Sequence, residues 1–188
     1  MIEWNRTVFM LAYKYRIDGE QLGYCRKGLK ALGTVYTERW RRLSTDLPVR
    51  KNDDIIVVGC GLGLLCETAI DMGYVNCVGM DSSPYIHDLW GEEAGQVILI
   101  EQDVREATTE RAYDWVITED VLTGYNPDEV DPVLDGCERI AKVPSQVVHM
   151  VTEPPISLAF TALPLDDWKA LRPAHTWVSL RMSDWKVL

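Results

Sequence analysis

The chain has 188 residues, 47% of them hydrophobic and 26% charged, which is typical of a globular domain and excludes a disordered or fibrous protein. The formal net charge is -10, yet basic residues outnumber acidic ones in residues 1–51, so a basic segment precedes an acidic domain. The apolar runs are far shorter than the roughly 20 residues needed to cross a bilayer. These features predict a soluble, cytoplasmic protein without a membrane contact.

Residues 1–50 carry apolar side chains at three- and four-residue spacing, which predicts one or two amphipathic helices that end near Asp46. The apolar face comprises Leu22, Cys25, Leu29, Leu32, Tyr36, Trp40 and Leu43. We expect the basic residues largely on the other, solvated faces: Arg26, Lys27, Lys30, Arg39, Arg41 and Arg42. We therefore predict an N-terminal helical cap segment over residues 1–50 and a second domain over residues 51–188.

From residue 53 onward, short β-rich runs alternate with helical patterns, which predicts parallel βαβ units. The predicted helices lie near 62–72, 83–92, 104–111 and 128–141. The predicted strands are Ile55–Val58, Cys77–Met80, Val97–Ile100, Trp115–Thr118, Gln146–Val151, Thr176–Leu180 and Trp185–Leu188. The expected fold is a doubly wound, Rossmann-like, mostly parallel seven-stranded sheet with helices on both faces and an antiparallel C-terminal hairpin.

The first predicted strand ends in glycines at alternate positions, Gly59, Gly61 and Gly63. A strand that opens through such a turn into a helix brings bare backbone close to a ligand. A dinucleotide-binding turn has a further glycine where this chain has Leu64, and a phosphate-binding P-loop has a lysine that is missing here. The spacing therefore favours a nucleoside ligand of another kind.

Acidic residues follow each of the next three strands in order. Asp81 ends the second strand at the distance from Gly63 at which a carboxylate accepts hydrogen bonds from a ribose diol. Asp103 follows the third strand and is placed to meet an exocyclic amine of adenine, beside the backbone N–H of Val104. Glu119 ends the fourth strand. The ordered set predicts one binding site at the carboxyl edge of the sheet.

This set resembles the class I S-adenosylmethionine-dependent methyltransferase family over about residues 53–151, through "VVGCGLG", "VGMDSS", "QDV" and "YDWVITEDVL". The resemblance implies that the chain is a methyltransferase with S-adenosyl-L-methionine as its cofactor. It implies the following cofactor-binding residues: Gly59, Cys60, Gly61 and Gly63 at the methionine moiety, Asp81 with Ser82 at the ribose, Asp103 and Val104 at the adenine, and Glu119 at the amino-acid end. One position departs from the family, because Val57 stands where many members carry an acidic residue.

Several residues have both a functional and a structural interpretation. Cys60 is better explained as a small side chain packed under the turn than as a nucleophile, and the five cysteines, without a C-x-x-C pair, predict reduced thiols. The histidines show no metal-ligand spacing, so no metal site and no catalytic base are assigned. Tyr36 and Trp40 could close over the sulfonium by a cation–π contact, or they could simply pack on the sheet.

The methyl acceptor is read from the segment after the fourth strand, Glu119–Pro127. It contains neither the Asn/Asp-Pro-Pro-aromatic motif of enzymes that methylate base amines in DNA nor the Pro-Cys nucleophile of cytosine C5 enzymes, so DNA is disfavoured. A small-molecule or protein acceptor, methylated at nitrogen or oxygen, is the leading hypothesis. An RNA acceptor on the basic N-terminal segment, a non-catalytic cofactor-binding subunit and an NAD(P)-dependent oxidoreductase remain alternatives. The sequence leaves the oligomeric state open.

Overall fold

The computed structural model describes residues 33–83, 97–108, 110, 112–153 and 163–181. Its six strands form one sheet in the order β3-β2-β1-β4-β5-β6, and every pairing is parallel. The strands are β1 (Ile55–Val58), β2 (Cys77–Asp81), β3 (Ile98–Glu101), β4 (Trp115–Glu119), β5 (Val147–Glu153) and β6 (Thr176–Arg181). The predicted doubly wound, mostly parallel sheet is therefore confirmed.

The central strand β1 is buried along its whole length, as its uninterrupted Ile-Ile-Val-Val sequence predicts for a strand covered on both faces. Alternate side chains then pack on opposite faces. Ile55 and Val57 belong to one core cluster and Ile56 and Val58 to another. A sheet buried on both faces leaves its strand ends as the place where a ligand can approach.

Helices cover both faces of the sheet. They are α1 (Gly33–Asp46), α2 (Leu64–Asp71), α3 (Pro127–Ile140) and α4 (Leu165–Leu171). The side chains of α1 and α2 pack in the cluster with Ile55 and Val57, whereas those of α3 and α4 pack in the cluster with Ile56 and Val58. In the described part of the chain, no helix is long and apolar enough to cross a membrane.

The predicted helix over residues 104–111 is wrong, because the chain forms only a short 3-10 turn at Val104–Glu106. Ala107 is already extended. Arg139 of α3 donates hydrogen bonds to the carbonyl oxygens of Arg105 at 3.2 Å and Ala107 at 2.8 Å. These carbonyls would otherwise accept bonds within a continuing helix, so packing on α3 ends the turn.

Three other features fall outside the prediction or outside the described residues. The helix α4 was not predicted, although Pro164 followed by Asp166 and Asp167 is a recognisable helix start. The predicted seventh strand, Trp185–Leu188, the hairpin that it completes and most of the predicted helix at 83–92 lie outside the described residues. The described sheet is thus six-stranded, with β6 paired directly to β5.

Candidate functional site

The topology of the sheet places a crevice at the carboxyl ends of β1 and β4. The strand order extends from β1 through β2 to β3 on one side and from β4 outward on the other, and ligands bind at such a switch point in open α/β sheets. The parallel register brings Gly59, Asp81 and Glu119 to the same edge, since each lies at or just beyond the end of neighbouring strands. The structure therefore brings together the residues predicted from separate sequence motifs.

The turn after β1 requires glycine for both backbone conformation and space. Gly59, Gly61 and Gly63 have φ angles of 65°, 53° and 71°, in the left-handed region that side chains disfavour. A Cβ atom on Gly59 would lie 2.3 Å from Cγ2 of Val121, in the segment after β4. The backbone of the turn is consequently packed directly against the loop that leaves β4.

Asp81 joins the turn to the end of β2. Its Oδ2 atom accepts a hydrogen bond from the N–H of Gly61 at 2.9 Å, and its Oδ1 atom accepts one from the N–H of Ser83 at 2.9 Å. The side chain is 9% exposed, while Ser82 beside it is exposed. These bonds fix the carboxylate at the crevice, where the sequence predicted a ribose-binding acid.

Cys60 packs beneath the turn and is not built as a nucleophile. A Cβ atom on Gly79 of β2 would lie only 2.5 Å from the Cys60 sulfur, so the thiol fills the space over that glycine. Burial raises the pKa of the Cys60 thiol above its usual value, although a hydrogen bond with Cys66 opposes the shift. Cys66 and Cys77 are also free and buried. The structure agrees with the packing interpretation of Cys60.

Asp103 caps the 3-10 turn and is held by arginine. Its carboxylate accepts bonds from the backbone N–H of Arg105 at 2.9 Å and from the guanidinium at 2.6 Å, and the guanidinium also reaches Glu129 of α3 at 3.2 Å. Burial alone would raise the pKa of Asp103, but the hydrogen bonds from Arg105 outweigh it and lower the pKa. The next residue, Val104, is 2% exposed.

Arg39 corrects the prediction of a solvated basic face on α1. Its side chain is only 3% exposed and forms an ion pair with Glu119, which is 12% exposed at the end of β4. Position 39 lies three residues after Tyr36 and four before Leu43, so it shares the buried face of the helix. That spacing was the available signal, but the prediction grouped Arg39 with the basic residues of the solvated faces. Arg41 and Arg42 are exposed, as predicted.

The aromatic residues of α1 separate into different surroundings. Trp40 is fully buried and packs edge-on against Tyr74, with ring centroids 5.1 Å apart, so it serves the core, as its structural interpretation proposed. The Tyr36 ring lies 5.4 Å from the guanidinium carbon of Arg39. Tyr36 thus contacts a cation of the protein itself.

The segment after β4 has a constrained backbone. Asp120 has a φ of 53°, the one positive value outside glycine among the described residues, and its carbonyl accepts a hydrogen bond from the Thr123 hydroxyl at 2.8 Å. Such a conformation costs of order 1–3 kcal/mol and is concentrated at functional sites. Burial, with the nearby Asp103 charge, raises the pKa of Tyr125, so its phenol stays protonated at neutral pH.

A buried network of polar side chains that the sequence did not reveal lies on the face of the sheet that α3 and α4 cover. The Thr118 hydroxyl is 2.8 Å from Nδ1 of His149, and Nε2 of His149 is 2.9 Å from Nδ1 of His175. Nε2 of His175 lies 3.0 Å from Glu138 of α3. Thr118 lies in β4, His149 in β5 and His175 directly before β6. Only the folded sheet brings them together. Among the described residues, no group of His, Cys, Asp or Glu is arranged to hold a metal ion.

The fold is a Rossmann-like, doubly wound α/β architecture, and comparison with known proteins assigns the family. Residues 56–149 match the family described as "Methyltransferase domain", which is half of the chain. The chain belongs to this methyltransferase family. The predicted resemblance to a methyltransferase family is confirmed. No curated protein is significantly similar to the chain in sequence.

Solved structures share the fold at low sequence identity. A chain of the complex between the Haloferax volcanii Trm112 methyltransferase activator and a methyltransferase is 17% identical, with a TM-score of 0.62 over 90% of this chain and 75% of that one. The magnesium protoporphyrin IX methyltransferase ChlM from Synechocystis PCC 6803 with bound SAM is 20% identical, with a TM-score of 0.52 over 72% of this chain and 69% of ChlM.

A third structure matches a smaller part of the chain. The PH0226 protein from Pyrococcus horikoshii OT3 is 24% identical over 58% of this chain and 54% of its own length, with a TM-score of 0.47. The chain therefore spans about half of the length of that neighbour.

Proposed function

We propose that this protein transfers the methyl group of S-adenosylmethionine to nitrogen or oxygen of a small-molecule or protein acceptor. The hydrogen bond from Gly61 to Asp81 carries the proposal, because it ties a left-handed glycine turn to a carboxylate at the switch point of the sheet. Backbone N–H groups beside a fixed carboxylate are suited to a nucleoside with a charged or polar tail.

We assign each part of this cofactor to residues at the carboxyl edge of the sheet. The proposed cofactor contacts keep the predicted division: Gly59, Cys60, Gly61 and Gly63 at the methionine moiety, Asp81 and Ser82 at the ribose, Asp103 and Val104 at the adenine, and Glu119 at the amino-acid end. When bound, the cofactor supplies a methyl group already activated on a sulfonium. The protein is then required to bind, orient and exclude water from the reacting groups.

The titratable groups near the crevice favour an acceptor that needs no strong base. Tyr125 stays protonated because burial raises its pKa, and His149 is fully buried, with its ring bonded to Thr118 and His175. A carbon acceptor or a weakly acidic hydroxyl would need a base with a tuned pKa. An amine that arrives neutral, or an acidic hydroxyl, needs only alignment, which supports nitrogen or oxygen as the acceptor atom.

We assign the acceptor to the space bordered by the loop after β4 and by the proposed N-terminal cap, residues 1–50. The strained Asp120 supports a role for this loop. Support for an RNA acceptor is weaker, because Arg39 of the basic segment is engaged with Glu119 inside the protein. The acidic domain would also repel a phosphate backbone.

Transfer of labelled methyl groups tests the proposal. The protein is incubated with methyl-labelled S-adenosylmethionine and, separately, with a metabolite extract, a protein extract and purified RNA. We expect label in the metabolite or protein fraction and none with the Asp81→Asn variant, which serves as the cofactor-site control. Label in RNA alone would establish the alternative acceptor, and no transfer in any fraction would contradict the proposed activity.

A further inference from the structure

Arg105, in the turn after β3, contacts three different segments at the carboxyl edge of the sheet. Its guanidinium donates hydrogen bonds to the Asp103 carboxylate at 2.6 Å and to Glu129, in the first turn of α3, at 3.2 Å. The guanidinium carbon also lies 5.3 Å from the centre of the Tyr125 ring, in the loop after β4. A partly exposed ion pair adds little stability by itself, so stability is a poor explanation for a guanidinium that is held on three sides.

Arg105 occupies most of the hydrogen-bonding capacity of Asp103. The backbone N–H of Arg105 donates to Oδ1 at 2.9 Å, Nη2 donates to Oδ2 at 2.6 Å, and Nε lies 3.0 Å from both oxygens. A carboxylate offers about four acceptor positions, and these three donors leave about one of them open. The Asp103 side chain is still 16% exposed, so a ligand can reach it.

The guanidinium of Arg105 is itself held in one orientation. Glu129 binds its Nη1 atom and also forms the capping box of α3 with Asn126, so this carboxylate is fixed at the start of the helix. The Tyr125 ring lies against the same guanidinium. A planar guanidinium that is bonded at both ends cannot turn without breaking one of these contacts. The Asp103 carboxylate is therefore fixed through Arg105 to α3.

We propose that Arg105 is a positioning residue that makes the base site selective for adenine, because it fixes Asp103 with one open acceptor position toward the exocyclic amine. This inference rests on the proposed function, in which Asp103 meets the adenine. The exocyclic amine of adenine donates hydrogen bonds, whereas the exocyclic oxygen of hypoxanthine accepts them, so a fixed carboxylate attracts the first and repels the second. A carboxylate that is free to turn could instead accept a hydrogen bond from the ring N–H of hypoxanthine. Selectivity therefore requires Arg105 in addition to Asp103.

The charge of Arg105 acts in the same direction as its geometry. Burial raises the pKa of Asp103, but the hydrogen bonds from Arg105 outweigh burial and lower this pKa. An ionised carboxyl group can only accept hydrogen bonds, whereas a protonated one could donate to the oxygen of hypoxanthine. Arg105 thus maintains both the orientation and the charge that distinguish the two bases.

Calorimetric titration with two ligands tests this selectivity. S-adenosylhomocysteine and S-inosylhomocysteine differ only in whether the base is adenine or hypoxanthine. We expect the unmodified protein to prefer S-adenosylhomocysteine about 10- to 100-fold, the range for a hydrogen bond to a charged group. Arg105→Met should reduce this preference by about 10-fold. Arg105→Lys keeps the charge but lacks the planar fork, so its preference should lie between those of the other two proteins.

Arg139→Met is the matched control for a purely structural role. Arg139 donates hydrogen bonds to the backbone of the same turn but not to the Asp103 carboxylate. This variant should unfold at lower urea concentration and keep the full preference for S-adenosylhomocysteine. An unchanged preference in Arg105→Met, or an equal loss of preference in Arg139→Met, would overturn the inference while the proposed function stands. If the unmodified protein binds neither ligand, the proposed function itself fails, so the two failures are distinguishable.

Discussion

Gly59 shows how a single residue sets the geometry of the crevice. Its φ of 65° requires a left-handed backbone, and the space that a side chain would need is filled by Val121. The conformation turns the chain out of β1, and the contact fixes the loop after β4 against the turn. Glycine at this position therefore joins two segments of the proposed site.

Replacing Gly59 with alanine should damage both stability and binding. Positive φ costs a substituted residue about 1–3 kcal/mol, and the contact with Val121 should add a similar amount through overpacking. Gly73→Ala is the matched control, since Gly73 has a φ of 91° but a Cβ there would come no closer than 3.9 Å to Lys51. Urea unfolding should show the larger loss for Gly59→Ala, with S-adenosylhomocysteine binding lost in that variant alone. Equal losses in the two variants would mean that only backbone strain matters.

Helix α3 packs along the core cluster that contains Ile56 and Val58. At its start, Asn126 and Glu129 form a capping box, and Glu129 also bonds Arg105. Farther along, a Cβ on Gly136 would lie 2.4 Å from the Val104 carbonyl oxygen. The close approach lets the 3-10 turn, and with it the proposed adenine contact at Val104, rest directly on the helix.

The same helix borders the buried histidines, which predicts an acid-sensitive fold. Burial, then the neighbouring charges of His175 and Arg172, lowers the pKa of His149 well below its usual value. Burial also lowers the pKa of His175, although Glu138 opposes it. His149 stays neutral in the folded protein, and burial disfavours the charged form of His175, whereas unfolded imidazoles take up protons below about pH 6.5. The neutral histidines therefore contribute to the free energy of unfolding above that pH, and this contribution is lost as the pH falls below it.

Urea unfolding at about pH 7.5 and about pH 5.5 measures this linkage. The free energy of unfolding should fall by up to about 1.4 kcal/mol per pH unit for each histidine below its unfolded pKa. His149→Gln keeps a hydrogen-bonding side chain but removes the titration, so its pH dependence should be shallower. Identical pH dependence in the two proteins would show that His149 does not titrate on unfolding.

For the whole molecule, the sequence predicted those elements whose structure is determined by residues close together in the chain. The apolar run of β1 and the glycines that follow it predicted the strand and turn, and the order of the acids predicted a common edge. These features depend on residues that are close along the chain. Parallel pairing then brings Asp81 and Glu119 to the turn by topology.

The features that were missed depend on contacts between distant segments. The ion pair of Arg39 with Glu119 joins α1 to β4. The hydrogen bonds of His149 link β4 to β5 and to the residue before β6. The helix predicted after Asp103 is only a 3-10 turn, because Arg139 donates hydrogen bonds to the carbonyl oxygens of Arg105 and Ala107. Residue spacing carries no information about which distant side chain meets which, so these contacts appear only in the folded molecule.

Binding of the intact protein to S-adenosylhomocysteine, titrated beside NAD, tests the central claim most directly. We expect heat of binding with S-adenosylhomocysteine and none with NAD. Asp81→Asn should lose most of that affinity, while Asp71→Asn, an exposed acid at the end of α2, should retain it. Binding of NAD without S-adenosylhomocysteine, or full affinity in Asp81→Asn, would contradict a nucleoside site built on the glycine turn and Asp81.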